Sequence, residues 1–159
     1  LQEDYEGAKN YALELSRIFG EGNFFLELQD HGLEEQKTVN RAIREIAEKT
    51  GIGLVATNDV HYLRRGDADT QAILMCIQTN TVITDGRPIG FETDEFYFKT
   101  EAQMRALFGT FSGAIENTVK IADKCNFDFE FDKLHLPDFK SESGEDHFTV
   151  LRSNAYRGF

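Results

Sequence analysis

A strand, a helix and a second strand follow one another within residues 23–57, and this succession most constrains the fold. Residues 23–30 (NFFLELQD) alternate side chains between an apolar and a mixed face, which is strand periodicity. Residues 34–50 carry apolar side chains at helical spacing, and Gly51 ends the pattern. Residues 52–57 (IGLVAT) are typical of a strand buried on both faces. Connections this short predict an α/β fold built on a βαβ unit with parallel strands.

Helical patterns are also predicted on both sides of this unit. Residues 4–19 carry an apolar stripe that stops at Gly20, and residues 67–79 carry another before a polar turn segment at 79–88. The side chains expected to face inward are Tyr5, Ala8, Ala12, Leu15, Ile18 and Phe19 in the first helix, and Ala72, Ile73, Cys76 and Ile77 in the second. We therefore expect helices to cover the strand pair.

The rest of the chain is predicted to be mainly helical. Thr100 and Gln103 form a capping-box pattern that opens a helix after a short strand at 96–98, and another helix is predicted from Ser112. The expected inward side chains are Met104, Leu107 and Phe108, then Ile115, Val119, Ala122 and Cys125. Alternating phenylalanines at Phe127, Phe129 and Phe131 predict a half-buried strand or an extended strip that lies on another surface. Residues 132–146 are predicted to be a linker, and Phe148, Leu151 and Ala155 begin one more helix.

Charge and cysteine content exclude several classes of function. The chain has 17 basic against 28 acidic residues, a net charge of −11, so we do not expect it to grip a nucleic-acid backbone electrostatically. No apolar run is long enough to span a bilayer. Cys76 and Cys125 lie far apart without a C-x-x-C pair, which predicts two small core residues in a reduced, cytoplasmic compartment.

Side chains that can bind metals follow the carboxyl ends of both predicted strands. His31 comes after the first strand, and Asp59 and His61 come after the second. Because carboxyl ends of parallel strands share one edge of a sheet, we expect the three to converge there. Their chemistry suits zinc, manganese or iron in a hydrolytic site. The spacing is equally compatible with Asp59 capping a turn and His61 being an ordinary histidine, so both interpretations stay open.

Asp30 and Asn58 are the chain neighbours of these candidate ligands and are expected to support them. Asp30 can orient the imidazole that follows it, although simple exposure to solvent explains this residue as well. Asn58 opens the polar run after the second strand. His135 and His147 lie among acidic residues near the linker and are expected to face solvent.

Six segments resemble the bacterial DNA polymerase III alpha subunits, a family of replicative polymerases. They are FFLELQDHGL (24–33), VNRAIREIAEKTGIGLVATNDVHYL (39–63), CIQT (76–79), FETDEFYFKT (91–100), AIENTVKIADKCN (114–126) and HLPDF (135–139). The segments follow in order over essentially the whole chain. The resemblance is to the second half of the family's polymerase-and-histidinol-phosphatase (PHP) domain and to the entry into its polymerase region.

This resemblance implies a distorted (β/α) barrel for the PHP part, with zinc or manganese bound at strand ends. The family's later ligand histidine falls on His31, and its closing Asp-x-His pair falls on Asp59 and His61. Earlier ligands would lie upstream of this chain, so its own metal affinity is expected to be weak. The implied organisation is the C-terminal part of the PHP domain at 1–66, a helical segment linking it to the polymerase core at 67–131, and a linker with the first polymerase helix at 132–159.

The resemblance also implies an activity for the longer parent protein. That activity is template-directed DNA synthesis from deoxynucleotides, with magnesium held outside this chain, so the chain alone is expected to be inactive. The PHP part would be a metal-dependent phosphoesterase or proofreading 3′–5′ exonuclease site, or its remnant. Alternatives are a scaffold without catalysis that docks a proofreading exonuclease subunit, and a stand-alone PHP phosphoesterase. Expected partners are DNA, that exonuclease and other replisome subunits, with no membrane.

We predict that the chain on its own self-associates or has reduced stability. Two barrel strands without their upstream neighbours leave an open sheet edge and bare apolar faces, which folded proteins normally cover. Analytical ultracentrifugation and thermal melting measure both properties. A strictly monomeric chain that unfolds cooperatively would contradict this prediction.

Overall fold

The computed structural model describes residues 4–82, 90–137, 139–142 and 144–159. In these ranges the chain is α/β, with two compact units, residues 1–125 and 126–159, that are treated separately below. No helix in the described ranges is long and apolar enough to cross a membrane. The elements are α1 (Tyr5–Phe19), β1 (Phe25–Leu28), α2 (Glu34–Thr50), β2 (Gly53–Ala56), α3 (Ala68–Thr79), α4 (Glu101–Phe108), α5 (Glu116–Lys124) and α6 (His147–Gly158).

The predicted βαβ unit is confirmed, although each strand is only four residues long. β1 and β2 pair in parallel, with Phe25 opposite Gly53 and Leu28 opposite Ala56. Helix α2 spans the predicted residues and ends at Gly51, whose φ of 75° is a left-handed conformation that favours glycine. The helix therefore connects two parallel strands and brings their carboxyl ends to one edge.

The core of the first unit lies between the strand pair and the helices around it. One buried cluster joins the strands to α2, α4 and the turn before α5, and a smaller cluster joins α1 to α2 and to Ile52, the residue before β2. Their buried members are Leu28, Ala47, Leu54, Ala56, Phe108 and Ala114 in the first cluster, and Ala12, Ile46 and Ile52 in the second. Burial of a large apolar side chain contributes about 1.5–3 kcal/mol, so Phe108 and Leu28 are major contributors to this core.

The helices lie close to the predicted positions, but several predicted inward faces are wrong. The capping box of Thr100 and Gln103 is present, whereas α5 begins at Glu116 instead of Ser112. A two-stranded sheet covers only part of each helix, so the outer turns remain in solvent. The exposed side chains that were expected inside are Ala8, Ile18, Phe19, Ile73, Ile77, Leu107, Val119, Ala122 and Cys125. Cys76 is buried as predicted.

Segment 112–117 covers the outer edge of β2 where a third strand could have paired. The Ala56 N–H donates to the Ala114 carbonyl oxygen at 2.9 Å. The Asn117 side chain is buried, and its Nδ2 donates to the Leu54 carbonyl oxygen at 2.7 Å. Two backbone groups at this edge are thereby satisfied without a strand.

The second unit contains α6, which begins where the sequence predicts a helix. Asp146 caps it by accepting hydrogen bonds from the Thr149 hydroxyl and from the N–H groups of Phe148 and Thr149, and these bonds hold the pKa of its carboxyl below the ordinary value. His135 and His147 are exposed, as predicted. Phe127, Phe129 and Phe131 are also exposed and form no strand, so the predicted half-burial is wrong.

Two shorter predictions have different outcomes. The strand predicted at 96–98 is reduced to one parallel bridge between Tyr62 and Tyr97. Most of the turn segment predicted at 79–88 lies outside the described residues, although α3 ends at Thr79 as expected.

Replacement of Asn117 by alanine is expected to lower the free energy of unfolding by about 1–3 kcal/mol, because the Leu54 carbonyl oxygen loses its donor. The control is Asn10→Ala on the exposed face of α1, which is expected to change stability by about 0.5 kcal/mol or less. Urea unfolding followed by circular dichroism measures both. Equal losses would show that the edge of β2 does not depend on Asn117.

Candidate functional site

The carboxyl ends of β1 and β2 lie side by side, and His31 joins them. The Leu28 carbonyl oxygen accepts a hydrogen bond from the Thr57 N–H at 3.0 Å. Just beyond, Nε2 of His31 lies 2.8 Å from the Asn58 carbonyl oxygen. The His31 residue is fully buried, with no exposed surface. The predicted candidate ligand therefore stands at the predicted edge, inside the protein.

Gln36, in the first turn of α2, contacts His31 twice. Its Oε1 accepts from the His31 backbone N–H at 2.7 Å, and its Nε2 lies 2.8 Å from ring Nδ1. An amide nitrogen can only donate, so we assign Nδ1 as the acceptor and place the ring proton on Nε2, which donates to Asn58. Both ring nitrogens of His31 therefore have hydrogen-bond partners.

Segment 90–99 covers this edge with aromatic rings. The Phe96 ring stacks on His31, with centroids 3.9 Å apart and an interplanar angle of 8°. Phe96 also meets His61 edge-on, with centroids 5.7 Å apart. Phe91 lies 4.2 Å from Phe96 and 4.5 Å from His61 between ring centroids. The two histidines predicted to share a metal therefore both pack against Phe96.

Backbone hydrogen bonds hold this segment against the chain that follows β2. The His61 N–H donates to the Phe96 carbonyl oxygen at 2.9 Å, and the Phe98 N–H donates to the Tyr62 carbonyl oxygen at 3.0 Å. Burial raises the pKa of the Tyr62 phenol above its ordinary value. The ladder aligns segment 90–99 with the residues after β2.

A charged cluster around Tyr97 holds the other end of the segment. Lys99 is buried, with Nζ 3.0 Å from Glu95 Oε2 and 4.3 Å from the Tyr97 ring centroid. Arg65 also pairs with Glu95. Contact with Tyr97, together with the carboxylates of Glu95 and Asp94, raises the pKa of the Arg65 guanidinium above its ordinary value. The Lys99–Glu95 pair lies within the segment and gives the buried lysine its carboxylate partner, whereas the Arg65–Glu95 pair ties this end of the segment to the chain that follows β2.

Asp59 and His61 lie on the solvent side of the same edge. Asp59 has a φ of 45°, and its side chain is 52% exposed. Nδ1 of His61 lies 2.7 Å from the Asp59 carbonyl oxygen, and Nε2 of His61 forms no hydrogen bond within the described residues. These two side chains are accessible, in contrast to His31.

The predicted supporting residues have roles that differ from the expected ones. The Asp30 carboxylate accepts from the Gly32 N–H at 2.9 Å and forms a local turn. Asn58 supports His31 through its backbone oxygen, while its buried side chain donates to the Tyr97 carbonyl oxygen at 2.6 Å. Asn58 therefore connects His31 to segment 90–99.

As placed, His31, Asp59 and His61 do not form a metal-ligand set. In the part of the chain that is described, no three His, Cys, Asp or Glu side chains are grouped to hold a metal ion. A metal ligand must offer a free lone pair, and Nδ1 of His31 instead accepts a hydrogen bond from Gln36. The described residues thus do not fit a shared metal ion, and the ligand assignment stays a prediction.

The sequence did not lead us to Gln36, which hydrogen-bonds the His31 ring, or to Phe96, which stacks on it. For Gln36, the sequence contained one signal. Gln36 and Asn40 lie four residues apart, on one face of α2, and Asn40 donates to the Gln29 carbonyl oxygen at 2.8 Å. Two amide side chains at that spacing beside a strand end indicate hydrogen bonding to the strand. Nothing local singles out Phe96 among the 14 phenylalanines.

Phe96→Ala is expected to lower the free energy of unfolding by about 3–5 kcal/mol, because it removes the buried ring that packs on both histidines. The matched control is Phe98→Ala two residues away, where the side chain is exposed and a loss of about 0.5 kcal/mol or less is expected. Urea denaturation of both variants tests the difference. Comparable losses in the two variants would refute the packing role of Phe96.

The chain is similar to curated bacterial proteins along most of its length, although no protein-family model matches it. It is 41% identical over 137 residues to a DNA polymerase III subunit alpha of Borreliella burgdorferi, covering 86% of this chain and 12% of the relative. The same-named protein of Thermus aquaticus is 42% identical over 147 residues, covering 89% and 12%. That of Treponema pallidum is 44% identical over 119 residues, covering 75% and 10%. The chain spans 10–12% of the length of these relatives.

Proposed function

The chain belongs to the family of bacterial DNA polymerase III alpha subunits, and we propose that it serves a replicative polymerase as a folded segment outside the site of nucleotidyl transfer. The similarity to alpha subunits of several bacteria along most of the chain carries this proposal. The longer parent would synthesise DNA on a template from deoxynucleotides, with magnesium bound outside this segment. Its partners would be DNA and other replisome subunits.

Within the parent, residues 1–66 would end a PHP-type barrel, 67–131 would link it to the polymerase core, and 132–159 would open the polymerase region. The parallel pair of β1 and β2 with α2 between them is the repeating unit of such a barrel. The division of the structure after residue 125 lies close to the second boundary. These observations support the proposed organisation.

For residues 1–66 we favour a scaffold without catalysis. The supporting observation is made at the carboxyl ends of β1 and β2. There, both ring nitrogens of His31 are hydrogen-bonded and its ring packs under Phe96, so it offers no free nitrogen to a metal ion. As a scaffold this part would dock a separate proofreading exonuclease subunit. The exposed apolar side chains Tyr11, Ile18 and Phe19 on α1 supply surface for such a contact.

A metal-dependent phosphoesterase or 3′–5′ exonuclease site is the second candidate. The accessible carboxylate of Asp59 and the imidazole of His61 favour it, since both groups suit zinc or manganese. Such a site would need its further ligands from other parts of the parent. The two candidates differ in whether His61 is needed for hydrolysis.

The test uses the longer parent polymerase and measures template-directed primer extension and metal-dependent 3′–5′ hydrolysis separately. If this part is a scaffold, His61→Ala leaves both rates unchanged. Phe96→Ala is expected to reduce primer extension several-fold, because it removes buried packing and destabilises the fold of this part of the parent. The matched control, Phe98→Ala, should retain wild-type extension.

Each other outcome decides against one part of the proposal. Loss of metal-dependent hydrolysis in His61→Ala, with primer extension intact, would establish the second candidate and refute the scaffold. Full primer extension by Phe96→Ala would refute the supporting role of this segment. A wild-type parent that cannot extend a primer would refute the assignment to DNA synthesis.

A further inference from the structure

His31 contacts every structural part that meets at the carboxyl edge of the strands. It lies three residues after the end of β1, and its ring donates to the Asn58 carbonyl oxygen after β2. Its ring and its N–H both bond Gln36 of α2. Its own carbonyl oxygen accepts from the Thr93 hydroxyl at 2.8 Å, and Phe96 stacks on its ring. A fully buried residue thus has every polar group satisfied by another part of the fold.

The two ring nitrogens of His31 have the kind of partners found in a metal-ligating histidine, except that the Gln36 amide occupies the position where the metal ion would lie. Ligating histidines commonly donate the second ring N–H to a backbone carbonyl, as Nε2 of His31 does to Asn58. The other nitrogen, Nδ1, would then face the metal. In this structure the Gln36 amide nitrogen lies 2.8 Å from Nδ1 instead.

We propose that His31 is a structural clamp that joins β1, α2, β2 and segment 90–99, and that Gln36 keeps its ring from binding metal ions. Gln36 cannot swing aside freely, because the same amide accepts the His31 backbone N–H. Its departure would leave that buried donor unsatisfied as well as Nδ1. The inference goes beyond the proposed function and does not depend on it, since it concerns one side chain of this chain alone.

The first experiment records long-range ¹H–¹⁵N spectra of histidine rings in the ¹⁵N-labelled full chain, with and without one equivalent of zinc chloride. The His31 signals are assigned by their absence in His31→Gln. We expect the tautomer protonated at Nε2, and no shift of either ring nitrogen on addition of zinc. The tautomer protonated at Nδ1, or a zinc-dependent shift of either His31 nitrogen, would overturn the proposal.

The second experiment removes the amide while keeping the length of the side chain, in Gln36→Met. We expect the two His31 tautomers to interconvert, the His31 nitrogens to respond to zinc, and the melting temperature to fall by roughly 2–12 °C. Gln78→Met, at an exposed position of α3, is the matched control and should change none of these. A merely space-filling Gln36 would lower the melting temperature without releasing the tautomer.

A folded Gln36→Met variant with His31 still in one tautomer and insensitive to zinc would refute the role of Gln36. If this variant does not fold, the spectra of the wild-type chain alone decide between clamp and ligand. Neither measurement uses polymerase activity, so failure of the clamp leaves the proposed role in a replicative polymerase standing, although it removes the support for a scaffold without catalysis. Failure of the polymerase proposal in turn leaves the clamp standing.

Discussion

The complete burial of His31 is the constraint on which the arrangement of the first unit depends. An imidazole without solvent contact needs a partner for each ring nitrogen, and its backbone N–H and carbonyl need partners as well. Asn58, Gln36 and Thr93 supply them from three different parts of the chain. Each unsatisfied group would cost about 1–3 kcal/mol, so β2, α2 and segment 90–99 are held in position relative to β1.

The same need for hydrogen-bond partners is met at the outer edge of β2 without a further strand. At the outer edge of β2, the Ala114 carbonyl oxygen and the Asn117 amide take the places of a neighbouring strand. A sheet edge covered in this way offers fewer free groups for pairing. In the proposed PHP-type barrel, a further strand would therefore pair more readily with β1.

Features that depend on near neighbours in the chain were predictable. The periodicity of residues 34–50, the stop at Gly51 and the capping box at Thr100 act within one or two helical turns, and all three are present. The inward faces were less predictable, because an apolar stripe is buried only where another element reaches it. Ile77 and Val119 belong to such stripes and are exposed, since the small sheet does not extend over them.

The sequence by itself determined the βαβ unit and therefore the shared edge that carries His31, Asp59 and His61. Parallel strands joined by one helix leave no other place for residues that follow their carboxyl ends. Only the tertiary structure decided whether the His31 ring has a lone pair to offer. That depends on the Gln36 amide, which donates to Nδ1, while Phe96 covers the face of the ring. Both reach the ring through the packing of α2 and segment 90–99, and the spacing of Gln36 and Asn40 indicates a bond to a strand without specifying this imidazole.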